Sequence, residues 1–252
     1  MKLAFFAAPG GEAQSAKKEL VKLYGNVSED EADIIVALGG DGTMLETLHH
    51  TIELNKPVYG MNRGSVGFLT NPYEAENLPE RLADVLDIII HPLRMNVVDK
   101  YGKTYEALAF NEVSLFREQR QAAKIKVSVN TVERIPELVC DGILVSTPAG
   151  STAYNLSASG PILPLDANVL ALTPISPFRP RRWRGAILPN TADFEFEVLE
   201  PGKRPVSATA DNKEFRDVQK LSVHESRSIG RSLLFNPDHG LYERILTEQF
   251  IV

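Results

Sequence analysis

A chain of 252 residues can form one large domain or two smaller ones, and 43% hydrophobic with 24% charged residues is an ordinary composition for a soluble protein. The net charge of −6 argues against a nucleic-acid partner, and the single Cys140 excludes an internal disulfide and fits a reducing compartment. No apolar run approaches the roughly 20 residues that span a bilayer, and the N-terminus lacks a signal-peptide pattern. We therefore expect a cytoplasmic protein with no membrane partner.

The first third of the chain alternates between predicted strands and helices. Apolar runs predict strands over Leu3–Ala8, 34–38 and 57–61, and helical spacing predicts helices over Glu12–Tyr24, after Gly42 and over Tyr73–Asp87. Alternation of this kind predicts a Rossmann-like α/β domain with a parallel sheet, whose ligands gather at the carboxyl ends of the strands. The loops at 39–43 and 62–70 follow two such strands, so we expect them to share one cleft.

From residue 95 to about residue 234 the helical periodicity largely disappears. Short runs rich in β-branched and aromatic residues, separated by turn signals such as Asp211-Asn212, predict an antiparallel β-sandwich. A final helix is predicted over Asp238–Phe250, returning to the first domain. The predicted domains are therefore an α/β domain of residues 1–94 and 235–252 and a β domain of residues 95–234.

The most informative stretch follows the second predicted strand and reads Gly39-Gly40-Asp41-Gly42-Thr43. Thr43 and Glu46 form an S/T-x-x-E pattern, which predicts a capping box at the start of a helix. A glycine loop at a helix N-terminus attracts phosphate. A carboxylate beside phosphates is repelled unless it holds a metal ion or takes a proton from a nucleophile, so Asp41 indicates phosphoryl transfer. The alternative is that Asp41 is only a turn residue.

Three polar interruptions stand out in the β domain. Asn111 and Glu112 lie within apolar sequence, and a buried glutamate there would need a partner such as a ligand's hydroxyl groups, unless the pair lies at a bulge or strand end. Asp141-Gly142 is a strong signal for a two-residue hairpin. The segment 146–160 concentrates small and hydroxyl residues around Tyr154, which could stack on a planar ligand, although an irregular surface loop is the alternative.

Other patterns exclude several enzyme classes or leave a role open. The sequence contains no Gly-x-Ser-x-Gly elbow, no H-E-x-x-H and no P-loop motif, which removes serine hydrolases, zinc peptidases and P-loop NTPases. His49 and His50 are neighbours on a predicted helix and do not form a zinc pair. The arginines between Arg179 and Arg184 could meet a phosphate or a partner subunit, or could be a solvated basic face.

Taken together, these motifs resemble those of the NAD kinase family. They occur in the family's order: Gly39–Thr43, the Asn62-x-Gly64-x-x-Gly67-Phe68 loop, Asn111-Glu112, Asp141-Gly142, Thr147–Tyr154 and Ser157. The glycine-aspartate loop is shared with lipid kinases, whereas the Thr-Pro-x-Gly-Ser-Thr-Ala-Tyr run is specific to NAD kinases. The resemblance implies an enzyme that phosphorylates the 2′-hydroxyl of the adenosine ribose of NAD with ATP, or in some members polyphosphate, to give NADP.

The resemblance also implies roles for individual residues. Asp41 would orient and deprotonate the 2′-hydroxyl near the Mg²⁺ that accompanies ATP, and no other metal-binding residues are predicted. The donor phosphates would rest on Gly39, Gly40, Gly42 and Thr43. The dinucleotide would contact Phe68, Asn111, Glu112, Asp141, Thr152, Ala153, Tyr154 and Ser157, with Glu112 at the ribose hydroxyls and Asp141 and Ser157 at base or carboxamide edges. Asn212 occupies a position that shapes one edge of the pocket in relatives.

The family is usually dimeric or tetrameric, so a homodimer or homotetramer is expected. The local sequence departs from the family at Ala149, Ser159 and the Phe178-Arg179 pair, which leaves contacts there open. A non-catalytic nucleotide sensor is the alternative from another functional class, and Asp41 argues against it because a sensor needs no acid in its phosphate loop. A lipid kinase is the runner-up enzyme, but no basic amphipathic stretch is present to bring it to a membrane.

Overall fold

A computed structural model describes residues 1–64 and 67–237 of the chain, so the predicted helix at 238–250 lies outside the described residues. The α-helices among the described residues are α1 (Gly11–Tyr24), α2 (Asp41–His50), α3 (Leu78–Ala83) and α4 (Tyr154–Ser157), with 3-10 turns at Ile52–Leu54 and Ala149–Thr152. The strands are β1 (Leu3–Ala7), β2 (Ile34–Gly39), β3 (Val58–Asn62), β4 (Leu86–Ile90), β5 (Leu93–Asp99), β6 (Thr104–Ala109), β7 (Glu112–Arg117), β8 (Ala123–Val129), β9 (Val132–Cys140), β10 (Gly142–Ser146), β11 (Val169–Ile175), β12 (Ala186–Pro189), β13 (Phe194–Val198), β14 (Val206–Ala210), β15 (Lys213–Phe215), β16 (Val218–Glu225) and β17 (Arg231–Phe235).

The chain divides into two compact units. The first contains residues 1–90 and the chain from 230 onward, and the second contains residues 91–229. The sequence predicted boundaries after residues 94 and 234. These positions lie a few residues beyond the ends of the two units, because β5 already begins at Leu93 and β17 at Arg231.

The first unit is built on a five-stranded sheet in the order β1-β2-β3-β17-β4. Strands β1, β2, β3 and β17 are parallel, and β4 pairs antiparallel with β17 at one edge. All six residues of β2 are buried, as expected for a parallel strand covered on both faces. Helix α1 packs Ala16 and Leu20 against the sheet in one apolar cluster with Leu3 and Phe5. The predicted α/β fold with a parallel sheet is confirmed.

Two local predictions in the first unit are wrong. The helix predicted over 73–87 is only α3, and Leu86, which lies inside the predicted helix, instead begins β4 and is 50% exposed. Three consecutive isoleucines, 88–90, favour a strand because β-branched side chains suit a pleated surface. The predicted capping box also fails: α2 begins at Asp41 after an N-cap Gly40 that makes no side-chain cap, and Thr43 lies inside the helix.

The second unit consists of two six-stranded antiparallel sheets. Their orders are β12-β11-β10-β7-β14-β15 and β6-β5-β16-β13-β8-β9. Strands β5 and β8 alternate strictly between buried and less buried residues, which is the pattern of a sheet with one covered face. Leu115 and Val145 of the first sheet and Val127 and Phe194 of the second lie in one hydrophobic core. The predicted β-sandwich is therefore confirmed.

The turn signal at Asp211-Asn212 and the hairpin signal at Asp141-Gly142 had different outcomes. Asp211-Asn212 connects the antiparallel pair β14 and β15, as predicted. Asp141-Gly142 does not form a hairpin, because β9 pairs with β8 in one sheet whereas β10 pairs with β7 and β11 in the other. The chain changes sheets at Asp141. A Cβ on Gly142 would lie 2.2 Å from the Leu115 carbonyl oxygen, so glycine permits the close approach of two backbones there.

Candidate active site

The glycine loop joins the end of β2 directly to α2. A Cβ on Gly39 would lie 2.2 Å from the Thr43 hydroxyl oxygen, so the first turn of α2 folds back against the end of the strand. Gly42 is exposed, and a Cβ there would meet nothing within 4 Å. The first turn of a helix presents N–H groups without intrahelical partners together with the positive end of the helix dipole. This end of α2 therefore has the features of an anion site.

The loop after β3 lies against the glycine loop, as predicted for neighbouring parallel strands. The backbone N–H of Arg63 donates to the Gly39 carbonyl at 3.0 Å. A Cβ on Gly64 would lie 3.2 Å from the Gly40 Cα, so the two backbones approach each other closely. Among the described residues, the carboxyl ends of β2 and β3 thus form one continuous edge.

Asp41 links the two loops through its side chain. Its Oδ2 accepts a hydrogen bond from the Phe68 backbone N–H at 2.8 Å, and its Oδ1 accepts one from the Leu69 N–H at 2.9 Å. The side chain therefore does more than complete a local turn, which was the alternative from the sequence. It places Phe68, a half-buried aromatic residue, next to the start of α2.

The far end of α2 is held by a buried arginine. Arg231 on β17 is 1% exposed, and its guanidinium donates to the Thr51 carbonyl at 2.8 Å, the Thr51 hydroxyl at 2.9 Å and the Lys56 carbonyl at 3.0 Å. A cation at a helix C-terminus is stabilised by the free carbonyls and by the negative end of the dipole. Arg231 thereby fixes the helix that begins with Asp41.

Asn111 and Glu112 lie where the chain crosses between the two sheets of the second unit. Strand β6 ends at Ala109 in one sheet, and β7 begins at Glu112 in the other. The pair is therefore at a strand end, as one alternative from the sequence stated, and both residues are only partly exposed. Asn111 Oδ1 and Glu112 Oε2 are buried and have no hydrogen-bond partner among the described residues. Buried oxygens of this kind are costly unless a ligand satisfies them.

The ionisation of Glu112 is strongly perturbed. Burial, followed by the negative charge of Asp211, raises the pKa of Glu112 to about 8, and a hydrogen bond from the Tyr154 backbone opposes the rise. Perturbed carboxyl groups are concentrated at functional sites because desolvation and like charges are costly elsewhere. Glu112 is therefore a candidate site residue on physical grounds as well as by resemblance.

The turn at 147–154 packs directly on Asn111. The Thr147 hydroxyl donates to the Phe110 carbonyl at 2.6 Å, and the Thr147 N–H donates to the Asn111 carbonyl at 2.9 Å. A Cβ on Gly150 would lie 2.3 Å from the same Asn111 oxygen. The turn continues through Thr152 to Tyr154, whose N–H reaches Glu112. These contacts assemble one polar cluster from segments that are distant in sequence.

Tyr154 connects this cluster to Asp141. Its side chain is 37% exposed, and burial together with the charges of Glu112 and Asp141 raises the pKa of its hydroxyl. Asp141 in turn pairs with Arg117, with 2.6 Å between its Oδ1 and Nε. Of the other predicted residues, Ala153 lies between the 3-10 turn and α4, Ser157 ends α4, and Asn212 is exposed on the β14–β15 turn.

Two residues of the second unit were missed by the sequence reasoning. Asp211 accepts hydrogen bonds from three successive backbone N–H groups, those of residues 110–112. Asn155 is fully buried, donates to the carbonyls of Ser151 and Pro161 and accepts from the Thr173 hydroxyl. The local sequence predicted only a turn at Asp211 and a polar loop around Asn155. Neither residue was therefore predicted to have a role in the site.

No cluster of three or more histidine, cysteine or acidic side chains with the geometry of a metal site occurs at residues 1–64 and 67–237. None of the helices in that part of the chain is long and apolar enough to cross a membrane.

A glycine loop that carries an acid at the start of a helix is typical of an enzyme of phosphoryl transfer. Comparison with known proteins identifies the protein family. A family model of the ATP-NAD kinase N-terminal domain matches residues 5–89, and one of the ATP-NAD kinase C-terminal domain matches residues 110–224. The chain belongs to the ATP-NAD kinase family.

Curated relatives agree over nearly the whole chain. The NAD kinase of Rhizobium meliloti is 56% identical over 98% of this chain and 96% of its own length, and that of Caulobacter vibrioides is 54% identical over 99% and 96%. The predicted family and enzyme class, a NAD kinase, are confirmed.

Two solved structures share the fold. Yeast NADH kinase in complex with NADH superposes with a TM-score of 0.82 at 19% identity, covering 98% of this chain and 86% of that one. A NAD kinase from Archaeoglobus fulgidus in complex with ATP gives 0.75 at 24% identity, covering 98% and 99%. At these identities the likeness supports the fold.

Proposed function

We propose that this NAD kinase transfers the γ-phosphoryl group of ATP to the 2′-hydroxyl of the adenosine ribose of NAD, giving NADP and ADP. Two observations, one in each unit, support the proposal: Asp41 lies in an anion-binding loop, and Asn111 and Glu112 carry buried oxygens that have no hydrogen-bond partner among the described residues. The first suits a phosphoryl donor, and the second suits the hydroxyl and amino groups of an adenosine.

In the proposed reaction the 2′-oxygen attacks the γ-phosphorus, the bond between that phosphorus and the β–γ bridging oxygen breaks, and ADP leaves. Asp41 orients the hydroxyl and takes its proton. The backbone of Gly39, Gly40, Gly42 and Thr43 binds the donor phosphates at the start of α2. The hydrogen bonds from Phe68 and Leu69 support this role because they fix the carboxylate before substrate arrives.

Glu112 and Asn111 are assigned to the adenosine. A ribose diol can donate to Glu112 Oε2, and an exocyclic amino group can donate to Asn111 Oδ1, which would satisfy both buried atoms. The remaining residues proposed to contact the dinucleotide are Phe68, Asp141, Thr152, Ala153, Tyr154, Ser157 and Asn212. Tyr154 offers an aromatic face to a base, and Asp141 and Ser157 offer polar atoms to base or carboxamide edges.

We propose Mg²⁺ as the ion that accompanies ATP, with another divalent cation as a substitute. The residues fit this ion because Asp41 supplies one carboxylate beside the proposed phosphate site, and Mg²⁺ is commonly held by one or two carboxylates plus substrate phosphates. When bound, Mg²⁺ would neutralise charge on the donor phosphates. Asp41 can serve as base or as metal ligand, and an activity series with Mg²⁺, Mn²⁺ and Ca²⁺ on wild type and Asp41→Glu separates these roles.

Assembly and location are proposed from the resemblance to the family. We propose a homodimer or homotetramer, and a cytoplasmic location that agrees with the single free Cys140. Light scattering on the purified protein gives the mass directly, and a monomer across micromolar concentrations would contradict this part.

The activity is tested with purified protein, ATP, Mg²⁺ and NAD, followed by a dehydrogenase that accepts only NADP. Polyphosphate replaces ATP in one arm and NADH replaces NAD in another, which fixes donor and acceptor preference. NAD lacking the adenosine 2′-hydroxyl is the matched control and should give no phosphorylated product. Nucleotide binding without NADP from either donor would indicate a sensor and would overturn the kinase proposal.

A further inference from the structure

Asp211 makes an unusual set of contacts for a turn residue. Its Oδ2 accepts from the Phe110 N–H at 2.7 Å, and its Oδ1 accepts from the N–H groups of Asn111 at 3.0 Å and Glu112 at 3.3 Å. The Asp211 N–H donates back to the Glu112 carbonyl at 3.2 Å. One side chain thus binds the backbone of three consecutive residues at the corner between the two sheets.

The backbone of Asp211 adopts a conformation that glycine would adopt without strain. Its φ of +50° lies in the left-handed region, where glycine is unstrained and where aspartate and asparagine are tolerated. Glycine would relieve that strain but would leave three N–H groups without their acceptor. Successive N–H groups that converge on one anion form a nest, and in this chain the nest contains the protein's own carboxylate.

We propose that Asp211 is a positioning residue for the acceptor nucleotide, holding the backbone of Asn111 and Glu112 so that their buried oxygens are directed at the adenosine. The inference rests on the proposed function, because the site it serves is the proposed NAD site. Asp211 itself touches neither substrate in this account. Its effect is transmitted through the three N–H groups and through its charge.

The charge gives the proposal a distinctive signature. The groups that act on Glu112 are the Asp211 carboxylate from the β14–β15 turn and Tyr154 from α4, whose N–H binds it and whose hydroxyl responds to its charge. Burial and the Asp211 charge together raise the pKa of Glu112 to about 8. Removing the charge should lower the pKa of Glu112, so the ionised form that accepts ribose hydroxyls should appear at lower pH.

A matched control is present in the same unit. Asp217 also has a positive φ, +57°, and also lies in a turn between strands, but its carboxylate pairs with Lys100 at 2.6 Å. It is absent from the groups that act on Glu112. Asp217→Asn therefore removes the same charge from a similar backbone without touching residues 110–112.

The experiment measures KM for NAD and for ATP, and kcat, from pH 6 to 9.5 for wild type, Asp211→Asn, Asp211→Gly and Asp217→Asn. For Asp211→Asn we expect KM for NAD at pH 9 to rise ~10-fold, as for loss of a charge-assisted hydrogen bond, with KM for ATP unchanged. The midpoint of the pH dependence of KM for NAD should move to lower pH. Asp211→Gly should be more impaired, and Asp217→Asn should match wild type.

The outcomes separate this inference from the proposed function. Absence of NADP from the wild type would refute the function itself. An active wild type with an Asp211→Asn variant that matches Asp217→Asn in KM for NAD and in pH midpoint would overturn the positioning role. Equal losses in both KM values with no shift in midpoint would also overturn it, because they would mean general destabilisation, which thermal melting would show. The isosteric Asn variant preserves the test if Asp211→Gly does not fold.

Discussion

Replacement of Glu112 by glutamine should make the ligand-free protein more stable in a manner that depends on pH. The pKa of Glu112 is raised from 4.5 to about 8 in the folded chain. Between these values the folded state holds a proton that the unfolded state has lost, so stability falls as pH rises, by up to about 1.4 kcal/mol per pH unit. The contribution is fully present below pH 4.5 and lost above pH 8.

Glutamine has nearly the same shape as glutamate and no titratable group, so the stability of the variant does not fall with pH at this position. The free energy of unfolding of Glu112→Gln minus that of wild type should increase by about 2.5 kcal/mol between pH 5 and pH 7. Urea unfolding without nucleotide at pH 5, 6, 7 and 8 measures it. Glu133→Gln, at an exposed position of β9, is the matched control. A Glu112→Gln difference that stays constant across this range would contradict the raised pKa of Glu112.

Three further changes test other parts of the structure. Gly150→Ala places a Cβ 2.3 Å from the Asn111 carbonyl oxygen, so we expect a higher KM for NAD and a destabilisation of about 2 kcal/mol. Gly202→Ala is the control: its Cβ meets nothing within 4 Å, so its KM for NAD and its stability should match those of wild type. Arg231→Leu leaves buried carbonyls at the end of α2 without donors and should cost about 2–4 kcal/mol in denaturant unfolding; a loss below 0.5 kcal/mol would contradict the assigned contacts. Burial raises the pKa of the Cys140 thiol to about 12, so iodoacetamide at pH 8 should leave activity and mass unchanged, and rapid native-state labelling would contradict its burial.

The sequence predicted the parts of the site that are local. The loop around Asp41 was recognisable because an unbroken apolar run ends in glycines and is followed by helical spacing, and both signals lie close together in the sequence. Asn111 and Glu112 were recognisable because polar residues interrupt apolar sequence. The class of fold followed from strand–helix alternation in one part of the chain and its disappearance in the next.

What the sequence did not predict depends on contacts distant along the chain. Asp211 lies 100 residues from Asn111, so its three hydrogen bonds had no local signal. Asp141-Gly142 resembled a hairpin because the residues of a turn do not determine which sheet each flanking strand joins. Thr43 and Glu46 resembled a capping box, but the N-cap is Gly40, three residues before Thr43, and the helix begins at Asp41 with Gly39 packed against Thr43.

The transferred phosphate itself can be followed to its position on the product. A single turnover of γ-labelled ATP with NAD on wild type and Asp41→Asn, with the product position read by ³¹P NMR, reports both the reaction and the role of Asp41. We expect label at the 2′-position of the adenosine ribose, and a rate ~10²-fold lower in the variant with NAD affinity retained. Label at any other position, or none on NAD, would contradict the central claim.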